Sequence, residues 1–278
     1  MPEPRAQGGG RRREPARARL TAASVMLAAR WTRHLEPELL GLADLVAPGS
    51  VCIDVGAAAG LYTVVLSRLA GPAGQVHSVE PLPFAHPVWT RVLRARSAAN
   101  VRHHAVALAA EAGSGAMSVP IGRYGLVTGR SFVTHRSHGL GSNAEFEGQV
   151  AVSVTMDTLD SMFASAGLTR LDFIKIDVEG AELQVLQGGE KTITALRPSL
   201  LLEIEARHTA RYQHQPEDVT GWLTERGYQM YTWQRGWREA SRVSPGVRNY
   251  LFRAAVPATP PAIPPAPGRA DPVQPAAQ

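Results

Sequence analysis

One cysteine, Cys52, occurs in 278 residues, which excludes an intramolecular disulfide and any zinc site built on cysteine pairs. It lies in an apolar run, where a lone thiol reads as a small buried hydrophobe. No apolar stretch approaches the ~18–20 residues that span a bilayer. Lysine is nearly absent. Lys175 and Lys191 are the only two, and neither sits in a Gly-Lys-Ser/Thr string, so a P-loop is excluded. Histidines are present, but His135 and His138 in a Gly/Ser/Arg-rich stretch have no adjoining carboxylate or cysteine cluster, and no metal ligand set is read from the sequence.

The formal charge of +5 and pI near 9.8 would suggest a polyanionic partner if the charge lay on a folded face. Residues 1–20 carry six arginines and two acids, a net +4, whereas residues 21–256 are nearly neutral at +1. A basic nucleic-acid groove is therefore not expected. Thr21–Ala29 resembles a short signal-peptide core, but Arg30 and Arg33 follow at once and an amphipathic pattern continues. A cytoplasmic location is expected on those flanks.

Three zones are legible. Residues 1–20 and the Pro/Ala-rich residues 257–278 hold too little apolar area to fold and are expected to be disordered tails. Between them, residues 21–256 repeat a short apolar run, a Gly- or acid-marked turn and a helix-period stretch. That rhythm indicates one α/β domain with a mainly parallel sheet and helices on both faces. Strands are expected at Val51–Val55, Gln75–Glu80, Val101–Ala107, Phe173–Asp177, Ser199–Glu205, Tyr228–Thr232 and Tyr250–Arg253. Helices are expected near 61–70, 84–98, 157–166, 180–196 and 216–226, with one or two more in 21–47. Residues 110–150 break the rhythm. Ala116–Ile121 and Gln149–Thr155 read as extended, and the middle, 122–146, has no period. Such an insertion is functional or mobile, and here it emerges near the ligand-binding strand ends.

The strongest local signal is Asp54-Val-Gly56-Ala57-Ala58-Ala59-Gly60, from a strand tip into a helix. Gly56 suits a sharp turn, Gly60 close helix–strand packing, and N–H groups at the helix start can face a carboxylate-bearing ligand. Asp54 can hold an amino group. Glu80 ends the next strand, 20 residues after Gly60, at the offset of an acid that grips ribose hydroxyls. Ala58 stands where a dinucleotide site needs its middle glycine. Acids around the turn suit the cationic amino-acid and sulfonium groups of S-adenosyl-L-methionine better than a diphosphate.

The second signal is Phe173-Ile-Lys175-Ile-Asp177-Val-Glu179-Gly180-Ala181-Glu182, a strand running into a helix with acids at the junction. By the period of two, Phe173, Lys175 and Asp177 share one face, as do Leu201, Glu203 and Glu205 on the next strand. Lys175 then pairs with an acid from 203 or 205, either as a register-fixing ion pair or as part of a site. Asp177 and Glu179 lie at the ligand-binding edge and are candidates for a base or acceptor-orienting group, with His208 beyond the following strand behind them. Trp233 and Trp237 read as core or lid packing.

The order Asp54-Val-Gly-Ala…Gly60-Leu-Tyr62-Thr63, Val79-Glu80-Pro81-Leu-Pro83, Asn100-Val101, Asp157-Thr-Leu159-Asp160, Lys175-Ile-Asp177-Val-Glu179-Gly180-Ala181-Glu182 and Arg197-Pro198…Glu203 resembles the FkbM family of S-adenosyl-L-methionine-dependent methyltransferases. The likeness runs from about 48 to 254, and the Lys-Ile-Asp-Val-Glu-Gly-Ala-Glu string is its most specific element. It implies a Rossmann-like class I methyltransferase fold, with a seven-stranded sheet whose last strand is antiparallel. It also implies a cofactor site with Asp54, Gly56, Ala57, Gly60 and Tyr62 at the methionine end, Glu80 and Pro81 at the ribose, and Ala107 after Val106 at the adenine. Position 58 is often asparagine in that family and is Ala58 here, which removes a side-chain contact but no backbone contact. The implied activity is O-methylation of a hydroxyl on a small natural product, sugar or glycolipid. An amine, carboxylate or lipid acceptor, or a non-catalytic nucleotide-binding scaffold, remains an alternative. The oligomeric state is not legible.

Overall fold

A computed structural model describes residues 36–82 and 99–255. The expected helix 84–98, residues 21–35 and the two tails lie outside the described residues. In chain order the elements are a 3-10 helix (Pro37–Asp44), β1 (Val51–Val55), α1 (Leu61–Ala70), β2 (Gln75–Val79), β3 (Val101–His104), β4 (Ala107–Leu108), β5 (Gly113–Gly122), β6 (Gly125–Leu126), β7 (Phe132–Val133), β8 (Gly148–Asp157), α2 (Leu159–Ser165), β9 (Phe173–Ile176), α3 (Glu182–Gly188), α4 (Glu190–Leu196), β10 (Ser199–Glu203), α5 (Ala206–Thr209), α6 (Pro216–Glu225), β11 (Tyr228–Trp233), β12 (Trp237–Glu239) and β13 (Asn249–Ala254).

The main sheet has the order β12-β11-β13-β10-β9-β1-β2-β3. β3, β2, β1, β9 and β10 pair in parallel, and β13 enters antiparallel between β10 and β11. Seven of these strands are the expected ones. The eighth, β12, is a three-residue hairpin return onto β11, carried by Trp237 against Trp233. Alternate residues of the central strands go to different cores. Ile53, Val55, Ile174, Ile176, Leu200 and Leu202 join one cluster, with Leu159, Leu186, Ile193 and Leu223 from the helices. Cys52, Val76, Phe173 and Leu201 join the other, with Leu39, Leu42, Val65 and Leu66. This is why these strands read as continuous apolar runs rather than alternations. Among the described residues no helix is long and apolar enough to cross a membrane.

The insertion is more ordered than its composition suggests. β5 and β8, ten residues each, pair antiparallel over nine positions within a second sheet, with β4, β6 and β7 attached. Its own core is Leu82, Ala107, Ala109, Met117, Val119, Val133, Val154 and Met156. The expected third strand therefore divides at residue 105: β3 stays in the main sheet and β4 opens the second. The expected helix 180–196 also divides. A Cβ on Gly188 would lie 2.0 Å from the Ala109 oxygen, and one on Gly189 2.4 Å from Leu159, so the glycine pair lets α3 and α4 break against β4 and α2.

Candidate functional site

Parallel register brings the informative segments together. Asp54 pairs with Lys175 and Val55 with both Val79 and Ile176, so the glycine turn, Glu80 and Asp177 leave the sheet at one edge. Leu202 pairs with Ile176, which sets Glu203 beside Asp177 one step further on.

At the glycine turn, Gly56 has φ +75°, and a Cβ there would lie 1.7 Å from the Asp177 carbonyl oxygen. The close approach is thus at Gly56. Gly60 was expected to provide it, yet a Cβ on Gly60 would meet nothing nearer than 3.8 Å, and its need for glycine is its φ of +87°. The expected row of free N–H donors is also different. Gly56 and Ala57 both donate to the Val79 oxygen, Ala58 to Glu80 Oε2 at 2.9 Å and Gly60 to the Ala57 oxygen. The first N–H groups of α1 lack intrahelical acceptors, as helix geometry requires.

Asp54, 2% exposed, accepts from Thr63 Oγ1 at 2.5 Å, and burial pushes its carboxyl up to about 6. Glu80 also accepts from the Leu82 N–H through Oε1.

Two cavities of about 670 and 690 Å³, counting the parts open to solvent, meet over this turn and share Gly56, Ala58 and Asp177. Glu80, Pro81 and Ala107 line the first, with Met117, Ser131 and Val133 from the second sheet. Asp54, Ala57 and Tyr62 line the other, with Glu36 and Lys175. Gly60 and His208 line neither. The second cavity sets three carboxylates against one ammonium, a donor set that fits a ligand end carrying a positive charge. Gly56 presents bare backbone to both cavities. The residues present therefore fit S-adenosyl-L-methionine.

Lys175 is buried and donates to Asn249 Oδ1 at 2.9 Å, with Asp177 Oδ2 at 3.5 Å and its Nζ 5.1 Å from the centre of the Tyr62 ring. Its ion-pair partner is Asp177, not the expected Glu203 or Glu205. Asp177 follows the last strand residue, Ile176, and its carboxylate lies within reach of the ammonium. β10 ends at Glu203, and Glu205 is held by Arg207 at 2.7 Å. Tyr62 donates to Glu36 Oε2 at 2.5 Å, and Asn249 Nδ2 reaches the same oxygen at 3.1 Å. Burial opposes ionisation of Asp177, but the Lys175 ammonium and a hydrogen bond from Glu203 hold its carboxyl below the usual range. Burial, then the Asp177 charge, drives Glu203 upward, so Glu203 keeps the proton of the pair.

Glu179 and Gly180 both have positive φ, +57° and +108°. A Cβ on Gly180 would lie 2.3 Å from the His208 oxygen, so glycine lets α5 close onto the turn. Glu182 Oε1 accepts from the N–H groups of Val178 and Gly180 at 3.1 Å each, and burial raises its carboxyl to about 7. Of the motif's acids, Glu182 holds the turn while Asp177 and Glu179 face the first cavity. Glu179 is pushed up to about 8 by burial and then by Asp177. His208 is 3% exposed, with Nε2 3.3 Å from Glu179 Oε2, and burial lowers it to about 4.

The sequence reading missed Arg130, Arg211 and Asn249. Arg211 is almost fully buried. It donates to the Glu179 and Leu140 oxygens and stacks 3.9 Å over Phe132, tying the insertion to the motif turn. No local spacing signals this, because the partners lie 32 to 79 residues away in the chain. His135 is bonded to Glu111 Oε1 at 2.9 Å, a carboxylate brought near by the fold; His138 is exposed. Trp233 and Trp237, both half-buried, pack edge to face with each other beside Gly41.

The sheet order with its inserted antiparallel strand, and acids at the carboxyl edge around a glycine turn, define a Rossmann-like methyltransferase fold. Residues 54–230 match the Methyltransferase FkbM domain, and the chain belongs to that family. Methyltransferase sdnD of Sordaria araneosa is 28% identical over 172 residues, covering 54% of this chain and 64% of that relative. The chain thus spans just under two thirds of that relative's length. Similar solved structures include methyltransferase FkbM from Methylobacillus flagellatus KT, 15% identical, TM-score 0.44, covering 87% of this chain and 56% of that one. Another is Aeropyrum pernix fibrillarin with natively bound S-adenosyl-L-methionine, 14% identical, TM-score 0.43, covering 84% and 74%.

Proposed function

We propose that this protein is a cytoplasmic S-adenosyl-L-methionine-dependent O-methyltransferase of secondary metabolism, acting on a hydroxyl of a small natural product, sugar or glycolipid. The observation that carries the reading is the position of Asp177, an ionised carboxylate at the junction of the two cavities. When bound, the cofactor supplies an electrophilic methyl group on a sulfonium. Asp54 and the turn at Gly56 and Ala57 would hold its amino-acid end, with Tyr62 and Lys175 behind them. Glu80, Pro81 and Ala107 would take the ribose and adenine.

Asp177 orients the acceptor hydroxyl and takes its proton, a role worth ~10²–10⁴-fold in rate. The Lys175 ammonium keeps Asp177 charged before the acceptor arrives. Glu179 lines the acceptor side of the first cavity, with His208 buried behind it. The second sheet walls the first cavity and limits water at the reacting oxygen.

The test is a panel of hydroxylated metabolites, read by mass for replacement of one hydrogen by one methyl. Asp177→Asn should still bind the cofactor in calorimetry and lose about 10²–10⁴-fold in kcat. Near-wild-type turnover in that variant would overturn the assignment of Asp177. Absence of cofactor binding at millimolar concentration would favour a non-catalytic scaffold instead.

A further inference from the structure

Glu179, Glu203 and His208 come from three different elements, and one ligand atom of each lies within 4.8 Å of the other two. Glu179 is fixed in the positive-φ turn after β9, Glu203 ends β10, and His208 rides on α5, which Gly180 allows to close in. His208 Nε2 and Glu179 Oε2 are both buried and neither has a hydrogen-bond partner, although they face each other at 3.3 Å. Arg130 Nε, 3.8 Å from the same Glu179 oxygen, is also without a hydrogen bond, so that contact does not satisfy the carboxylate.

A separation of 3.3 Å has a simple meaning in coordination geometry. Ligands about 2.0–2.2 Å from one metal ion lie about 3.0–3.5 Å from each other in octahedral or tetrahedral arrangements. One imidazole and two carboxylates are a donor set for manganese or zinc rather than for magnesium or calcium.

The charged surroundings are mixed. Arg248 lies 3.5 Å from Glu203, Arg211 donates to the Glu179 carbonyl, and Lys175 is paired to Asp177. Against these stand Asp177, Glu205 and Glu182, besides Glu179 and Glu203 themselves. Glu179 lines the first cavity, which gives an ion a route in from solvent.

We propose that Glu179, Glu203 and His208 form a site for one divalent first-row cation, manganese or zinc, beneath the acceptor side of the first cavity. That it lies on the acceptor side rests on the methyltransfer reading; the site itself rests on its three ligands. Binding displaces the proton that Glu203 otherwise keeps, and the bound ion neutralises buried acid next to Asp177 and fixes Glu179 in its strained turn. Asp177 remains the group that meets the acceptor hydroxyl.

The test titrates manganese chloride into the full chain, following loss of the free-ion electron paramagnetic resonance signal, with zinc chloride followed by calorimetry. One ion per chain is expected with at least one of the two metals. Glu179→Gln and His208→Gln should each weaken binding about tenfold or more. Circular dichroism identifies any variant that fails to fold, and Glu179→Gln, at the cavity wall, supplies the result if His208→Gln does not fold. Absence of binding at millimolar metal, or unchanged affinity in Glu179→Gln, would overturn the proposal. A parallel cofactor titration separates the readings: metal bound without cofactor sinks the methyltransfer reading alone, and cofactor bound without metal sinks the cation site alone.

Discussion

Replacing Lys175 by methionine removes the one ammonium among Asp54, Asp177, Glu203 and Glu36 while keeping most of the side-chain volume. Lys175 is 1% exposed, and its ion pair to Asp177 and hydrogen bond to Asn249 are both lost. Removing one partner of a buried pair costs about 3–5 kcal/mol, because the remaining charge stays buried and uncompensated. For a chain of this size that is roughly 6–20 °C in Tm. The pH dependence gives the sharper readout. In the wild type the depressed Asp177 carboxyl contributes stability above the ordinary carboxylate range, which is lost as pH falls through its folded value. In Lys175→Met, burial, the largest influence on Asp177, loses its strongest opponent, so its folded pKa rises above the unfolded one. Its contribution is then present at low pH and lost as pH rises. The deficit should therefore be largest near pH 8 and shrink toward about pH 5. Urea unfolding followed by tryptophan fluorescence across that range measures it. A deficit below about 1 kcal/mol, or one independent of pH, would refute the idea that the ammonium holds Asp177 ionised.

Other perturbations follow from the same geometry. Gly56→Ala should lose about 2–5 kcal/mol, combining left-handed strain with a clash against the Asp177 carbonyl, and should abolish cofactor binding in calorimetry. Gly180→Ala should cost a similar amount and move α5; unchanged thermal stability would mean that the turn yields easily. Glu182→Gln keeps an oxygen for the Val178 and Gly180 N–H groups and removes a carboxyl raised to about 7. A raised folded pKa gives stability that is lost as pH rises toward 7, so this variant should gain relative to wild type above that value; no relative gain in denaturant unfolding at about pH 8 would count against it.

The order of strands and helices was legible because buried parallel strands write themselves as short apolar runs and helices as period-3.6 stretches between them. β1, α1 and β2 appear within a residue of their expected bounds. The insertion was undervalued for a physical reason. The β5–β8 ladder joins residues 113–121 to 148–156, and although Val150, Val152, Val154 and Met156 alternate along β8, no short turn links the two strands to reveal that they pair.

The acids of the Asp177-Val-Glu179-Gly180-Ala181-Glu182 segment could be read as a group but not told apart. Their different tasks depend on what each meets: the Lys175 ammonium for Asp177, two backbone N–H groups for Glu182, and a buried histidine for Glu179.

By itself, the sequence determined the alternation of the main sheet, the glycine turn with Glu80, and a family-specific acidic string. These are local patterns of hydrophobicity and backbone freedom. Tertiary structure alone decided that Gly56 rather than Gly60 is the point of closest approach, that Lys175 pairs with Asp177, and that Glu203, Arg130, Arg211 and Asn249 converge on the same edge. Those facts depend on strand register and on contacts between segments far apart in the chain, which no spacing along it encodes.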